Sequence, residues 1–409
     1  MKFSFEKSSW FLYAGIAAYA LYCYNPFVLF FQNDDFIHIP LSRQGQLFQR
    51  NSFRPVCDLS VMADEYLYGK NAAGYHLTNL LLHLGCCWLV FLVSKKIIEK
   101  YFDNLSSKRM AFIVALFFFV YATHGEAVLW ILGRSAILGL VFSLLFLLEY
   151  VKREETIFSI AKYILLLSLA LLSYESSFIL PLLCVFFFLI DREKNDRVHL
   201  TIVFISFGVY LLARWLVIGE IYGSYEVNNI GGNEFLSVIG NFGKLLMRSF
   251  VPAYTQGVII VIIFSAIAIS ILVLLVKSPS RKKLVLLAGV FLVSLLPYCT
   301  LGIAVHSYEG ERFLYFPAFF LCLLMVLTIS ASFKQPLERQ MAFLVILLVH
   351  SISLSISASD FRIAGNVNKM MISSFNTIEG IDSLYVHQLP QVQNGALIMR
   401  DGFKEAITW

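Results

Sequence analysis

Charge is scarce in this 409-residue sequence. Asp, Glu, Lys and Arg make up 14% of it, where a soluble globular chain carries about 25%. Together with 58% hydrophobic and 15% aromatic residues, that scarcity excludes a water-soluble domain, a disordered tail and a collagen-like rod. The seven cysteines include no CxxC pair and no Cys/His metal spacing. Five of them, Cys23, Cys86, Cys87, Cys184 and Cys322, lie in apolar runs and read as small core residues. No Gly-rich phosphate loop is present. No basic stripe interleaved with aromatics accompanies the net charge of +5, so that excess does not point to nucleic acid.

What is abundant is apolar sequence of membrane-spanning length. Crossing the hydrocarbon core takes about 20 apolar residues in a helix. Eleven runs approach that length, at about 10–31, 75–94, 110–123, 127–149, 159–173, 177–190, 200–218, 256–276, 284–300, 313–331 and 341–358. The third, fifth and sixth are short enough to be tilted or re-entrant. The first has no small-residue cleavage site before Asn33 and reads as an uncleaved anchor. With the N-terminus taken as cytoplasmic, 19 of the 32 Lys and Arg and 10 of the 27 Asp and Glu fall on the inner side. The inner side is then +9 and the remainder −4, as the positive-inside rule requires. The expectation is an all-α polytopic membrane domain over 1–358, with outer loops at 32–74 and 219–255, and a small outer tail over 359–409.

On that topology the unusual polar residues gather on the outer side. The first outer loop holds Asp34 and Asp35 at the membrane boundary and Arg54 further on. The next outer turn carries His124 and Glu126, followed by Arg134 inside the fourth run. Later turns carry Glu175, then Glu311 and Arg312. A charge at membrane depth costs at least about 2.5–3.5 kcal/mol, so such groups pair, face a wet cavity or act on something. Each residue alone also has a plain reading. Asp34 and Asp35 suit a solvated helix end, Glu126 and Arg134 suit a structural ion pair, and Glu175 suits a turn. His76 and His83, seven apart with Asn79 between them, suit packing and hydrogen bonding better than metal ligation. Taken jointly, a carboxylate pair with arginines near it fits chemistry on a lipid-borne phosphate. One carboxylate takes the proton of an acceptor hydroxyl, and guanidinium forks hold the phosphate.

Four stretches, in order, resemble the GT-C glycosyltransferases, and within them the transmembrane and tetratricopeptide repeat O-mannosyltransferases and their bacterial relatives. They are Asn33-Asp34-Asp35; Phe53-Arg54-Pro55 leading to the run from Gly74 to His83; His124-Gly125-Glu126-Ala127-Val128 through Gly133-Arg134; and the run from Glu311 to Pro317. The likeness is good over roughly 25–140 and local over 300–320. It implies the GT-C fold of about eleven spans and a polyprenyl-phosphate monosaccharide donor. It also implies Asp34 as base, with Asp35 beside it. The family's His-Pro is His124-Gly125 here, and its Lys-Glu is Tyr174-Glu175, which removes a lysine from the donor-phosphate contacts. No repeat of about 34 residues follows the membrane part.

The resulting expectation is a glycosyltransferase acting outside the cytoplasm, inverting, and seated in a bacterial inner membrane with its site facing the periplasm. Asp34, Asp35 and Glu126 form the catalytic set, and Arg54, Arg134 and Arg312 hold the donor phosphate. His76, His124, Glu175 and Glu311 line the site. No cofactor or metal is expected, although an Asp pair is able to hold a divalent cation. The partners are the lipid-linked donor, membrane lipids, and an acceptor that is a surface glycan, a lipid or a protein Ser/Thr. In the tail, 383–387 and 396–399 read as strands, 390–395 as a turn and 401–407 as a helix, packing on the outer loops. The rival is a transporter or flippase of lipid-linked sugars, which predicts midplane charges and repeated broken helices.

Overall fold

A computed structural model describes residues 15, 18–46, 53–102, 105–152, 156–191, 196–219, 234–375, 386 and 388–408. After a helical stretch at 18–23 come α1 (Asp35–Arg43), α2 (Pro55–Tyr68), α3 (Ala72–Tyr101), α4 (Ser107–Phe119), α5 (Gly125–Leu129), α6 (Arg134–Tyr150), α7 (Ile157–Leu171) and α8 (Leu180–Asp191). Then follow α9 (Asp196–Ile218), α10 (Glu234–Phe250), α11 (Val258–Lys277), α12 (Arg281–Ser294), α13 (Tyr315–Ser332), α14 (Pro336–Phe375) and α15 (Phe403–Thr408). Between α14 and α15 lies a two-stranded antiparallel hairpin of β1 (Val392–Gln393) and β2 (Ala396–Leu397).

Local sequence sets the helix boundaries. Pro55 and Pro336 open α2 and α14, at the position where a missing N–H is tolerated and the ring's φ suits a helix. The side chains of Asn71 and Thr156 cap α3 and α7 by accepting from Ala73 N at 3.2 Å and Ser159 N at 3.2 Å. Gly310, at φ 91°, turns the chain into the short 3-10 stretch Glu311–Leu314.

The chain is a helical, multi-span membrane protein. Among the described residues six helical segments are long and apolar enough to cross a membrane: Ala72–Tyr101, Ile131–Tyr150, Arg197–Ile218, Val258–Lys277, Glu311–Ser332 and Pro336–Phe375. Ser107–Phe119 and Ala122–Leu129 would make a seventh, but they meet at a 53° bend. Shorter apolar helices occupy Ile157–Leu171 and Glu175–Leu189. The segment Glu311–Ser332 is buried throughout its apolar window, and α13 within it packs against α4, α6, α11 and α12. A helix apolar on every side belongs in such a position. Around it, α9 and α11 leave large apolar side chains such as Leu216, Val258 and Ile259 exposed, which suits lipid contact.

The helices place chemistry and basic residues at opposite ends. At one end Lys283 reaches the carbonyl of Tyr101 at 2.6 Å, and Lys152 and Lys162 share Glu149 at 3.0 and 2.8 Å. The carboxylate and arginine clusters described next sit at the other end. The residues expected as outer loop 219–255 include α10, which carries a buried Arg248.

Candidate active site

The first outer loop turns at Asn33, which holds φ 48°, a left-handed conformation that Asn tolerates better than most residues. That turn starts α1 and presents two unlike carboxylates. Asp34 is half-buried and accepts from Asn33 Nδ2 at 2.9 Å. Asp35 is fully buried; its Oδ2 accepts from Gln32 N at 2.9 Å, while its Oδ1 has no hydrogen-bond partner. Burial holds the Asp35 carboxyl well above the usual carboxylate range, with the Gln32 N–H opposing the shift. The pair therefore divides into one reachable carboxylate and one desolvated one.

Opposite this turn stands Glu126 on α5. It accepts from the backbone N of Arg312 at 2.8 Å and pairs with the Arg312 guanidinium, which also lies 5.1 Å from the Trp130 ring centroid. Glu126 thus pairs with Arg312 and not with Arg134. Arg134 instead closes a scaffold with all its nitrogens engaged. Its Nε donates to Asn79 Oδ1 at 2.8 Å, Nη1 to Ser60 O and Oγ at 3.2 and 3.1 Å, and Nη2 to Tyr75 O at 3.0 Å and to Asp64. A fully buried guanidinium so committed holds α2, α3 and α6 together.

Two further clusters flank the site. Arg54, at the start of α2, binds Glu175 through Nε and Nη2, each 2.9 Å from Oε2, and its guanidinium carbon lies 4.6 Å from the Tyr174 ring centroid. Buried Glu311 pairs with buried Arg248 of α10 at 2.6 Å, whose other donors meet the carbonyls of Val251 at 2.9 Å and Ala304 at 3.1 Å. His124 packs among the rings of Phe118, Tyr121, His83 and Tyr315. His83 Nδ1 lies 2.7 Å from Tyr315 Oη. His76 is buried with no hydrogen-bond partner on either ring nitrogen.

The tail covers this end. Asn33 N donates to Ile398 O at 2.9 Å, and Asn33 Oδ1 accepts from the backbone N of Arg400 and Asp401 at 3.2 and 3.0 Å. The hairpin turns at Asn394-Gly395, with φ 49° and 97°, the residue pair that two-residue hairpin loops favour. Within 383–387, read as a strand from sequence, only Val386 lies among the described residues. Asp360 of α14 accepts from Tyr308 Oη at 2.6 Å and from Asn394 Nδ2 at 3.2 Å. A small cleft remains between Asn33, Glu126, Trp130, Tyr308 and Leu397. The largest cavity lies at the lysine-rich end, walled by apolar side chains with Lys96, Lys100 and Lys283 among them, away from these carboxylates.

Among the sequence-named residues, Asp34, Asp35, Glu126 and Arg312 come together around the first loop. Arg54 and Glu175 form a pair of their own, and Glu311 turns to Arg248. Sequence reasoning passed over Arg214, Arg248, Asp64, Tyr308 and Asp360. The two arginines carried one usable signal, a cation inside or beside an apolar helix.

This arrangement of helices is found in membrane glycosyltransferases of the GT-C class. ArnT from Cupriavidus metallidurans, solved with undecaprenyl phosphate, superposes with a TM-score of 0.51 at 8% identity, over 97% of this chain and 84% of that one. The archaeal oligosaccharyltransferase AglB from Archaeoglobus fulgidus gives 0.48 at 13% identity, over 95% and 62%. In sequence the chain is similar to protein O-mannosyl-transferases. Tmtc1 of Drosophila melanogaster is 34% identical over 173 residues, 40% of this chain and 19% of that protein. F38B6.6 of Caenorhabditis elegans is 31% identical over 159 residues, 38% and 22%. The matched part spans about a fifth of the length of these relatives. No family model matches the chain.

Proposed function

We propose that this protein is a glycosyltransferase that moves a monosaccharide from a polyprenyl phosphate to an acceptor hydroxyl, at the membrane face opposite its lysine-rich end. The observation that carries the reading is the meeting of a reachable carboxylate, Asp34, with the Glu126–Arg312 pair at one end of a GT-C bundle. The similarity to protein O-mannosyl-transferases supports it. By the positive-inside rule, the lysine-rich end faces the cytoplasm and the site faces outward.

In this mechanism the acceptor oxygen attacks the anomeric carbon from the side opposite the phosphate. The carbon–oxygen bond to the phosphate breaks as the new glycosidic bond forms, the configuration inverts, and polyprenyl phosphate leaves. Asp34 takes the hydroxyl proton, the part a general base plays within hydrogen-bond reach. Arg312, held by Glu126, and Arg54 face the charge growing on the phosphate. Asp35 stays buried and shapes the turn. No metal or cofactor takes part, and the acceptor is a surface glycan, a lipid or a protein Ser/Thr.

The test is transfer from a radiolabelled polyprenyl-phosphate sugar by purified, reconstituted protein, comparing wild type with Asp34→Asn. Transfer that requires Asp34 supports the reading. Transfer that survives the substitution removes Asp34 as base, and sugar lipid crossing the bilayer without transfer replaces the enzyme with a flippase.

A further inference from the structure

We propose that Arg54, Glu175 and Arg214 form a buried phosphate site in which the side-on fork of Arg214 receives the phosphate of a lipid. This deepens the transferase reading and rests on it for the identity of the ligand.

Arg214, near the end of α9, is fully buried. Its Nη1 lies 3.3 Å from Tyr210 Oη and 3.6 Å from Glu175 Oε1. Its Nε and Nη2 have no hydrogen-bond partner. Those two nitrogens form one edge of the guanidinium, the edge whose parallel N–H groups match two oxygens of a phosphate or carboxylate. Arg54 shows the same edge filled, with Nε and Nη2 both on Glu175. One edge in this cluster is satisfied and its neighbour's is open.

The charge balance agrees with the geometry. Two guanidiniums face one carboxylate, and an arginine cannot relieve the surplus by losing its proton. Burying an unmatched charge is costly unless a counter-charge arrives. Arg54 and Glu175 keep a little exposure, 14% and 17% of their side chains, so the cluster opens outward beside Arg214. The ligand class follows from the surroundings of α9. Leu212, Trp215 and Leu216, next to Arg214 in sequence, are more than half exposed and face the lipid. An anion arriving here with an apolar tail keeps that tail in hydrocarbon, which a free anion does not require.

The experiment measures ligand-induced thermal stabilisation of the full chain in detergent. The probes are decaprenyl phosphate, decaprenol and inorganic phosphate, tested on wild type, Arg214→Gln and Arg214→Lys. The expected result is binding of decaprenyl phosphate at least tenfold tighter than decaprenol by wild type. Arg214→Gln loses that advantage, and Arg214→Lys, which keeps the charge without the fork, recovers part of it. Without ligand, Arg214→Gln melts no lower than wild type, because the substitution removes a surplus buried charge. A lower ligand-free melting point assigns Arg214 a purely structural role and overturns the proposal. Equal binding of decaprenyl phosphate by wild type and Arg214→Gln also overturns it, and inorganic phosphate binding as tightly as the lipid overturns the lipid assignment. Binding is read without transfer. Wild type that binds decaprenyl phosphate but transfers no sugar counts against the transferase reading and leaves this site standing.

Discussion

Arg312 meets Glu126 twice, through its backbone N–H at 2.8 Å and through its guanidinium, across 186 residues of sequence. The backbone bond fixes where the carboxylate sits, and the side-chain pair neutralises it in a nearly dry place. Removing Arg312 leaves a buried carboxylate with half its support. We expect Arg312→Ala to destabilise the protein by about 3–5 kcal/mol, the range for breaking a buried pair. A double-mutant cycle with Glu126→Gln should return a coupling of about 0.5–3 kcal/mol. Denaturant unfolding in detergent checks both figures, and additive effects would count against the pair.

Asp34 and Asp35 should behave differently despite adjacency. Asp34→Asn should lower kcat by roughly 10²–10⁴-fold, the usual contribution of a general base, with the donor KM little changed. Asp35→Asn should fold at least as well as wild type, since its carboxylate is disfavoured by burial. Steady-state kinetics and melting points separate the two.

The raised pKa of Asp35 also fixes the sign of a pH effect. The folded state holds this proton more tightly than the unfolded chain does. Its contribution to stability is therefore complete below the unfolded carboxyl pKa and is lost as pH rises through the folded value. The melting point of wild type should fall over that window more steeply than that of Asp35→Asn. Parallel curves would show that Asp35 is not desolvated.

Gly133 precedes Arg134, and a Cβ there would meet the backbone carbonyl oxygens of Glu126 and Ala127, the latter at 2.7 Å. Backbone cannot swing away as a side chain does. Gly133→Ala should displace α5, lowering stability by about 1–3 kcal/mol, as overpacking does, and reducing transfer with it. Unfolding and activity measured on one preparation provide the check.

Chelation should leave transfer unchanged if the carboxylates act without a cation. Activity lost with EDTA and restored by a divalent ion would assign the Asp pair to metal instead.

The sequence made legible what lies in short, local patterns. The Asp34-Asp35 turn, the Glu126 stretch and the Glu311-Arg312 stretch all occur where the chain turns at the site end. What stayed hidden are choices made between distant segments. Asp64 in α2 claims Arg134, and Arg248 claims Glu311 across 63 residues; no pattern within one helix specifies such a partner. Arg214 is a single cation in an apolar run, and its open edge exists only because Glu175 is already filled by Arg54. The bend between Phe119 and Ala122 was invisible for a related reason: hydropathy averages over a window and passes through a break in the backbone.

Asn33 has a consequence for the order in which the molecule is made. Its hydrogen bonds run to Ile398, Arg400 and Asp401, and neighbouring Gln32 donates to the carbonyl of Phe361 at 2.6 Å. A ribosome delivers the first loop hundreds of residues before those partners. Throughout that interval the turn bearing Asp34 has nothing to close against, whatever the state of the helices already inserted. Catalytic competence is therefore a late event in the life of each chain, reached after the bundle itself has gathered.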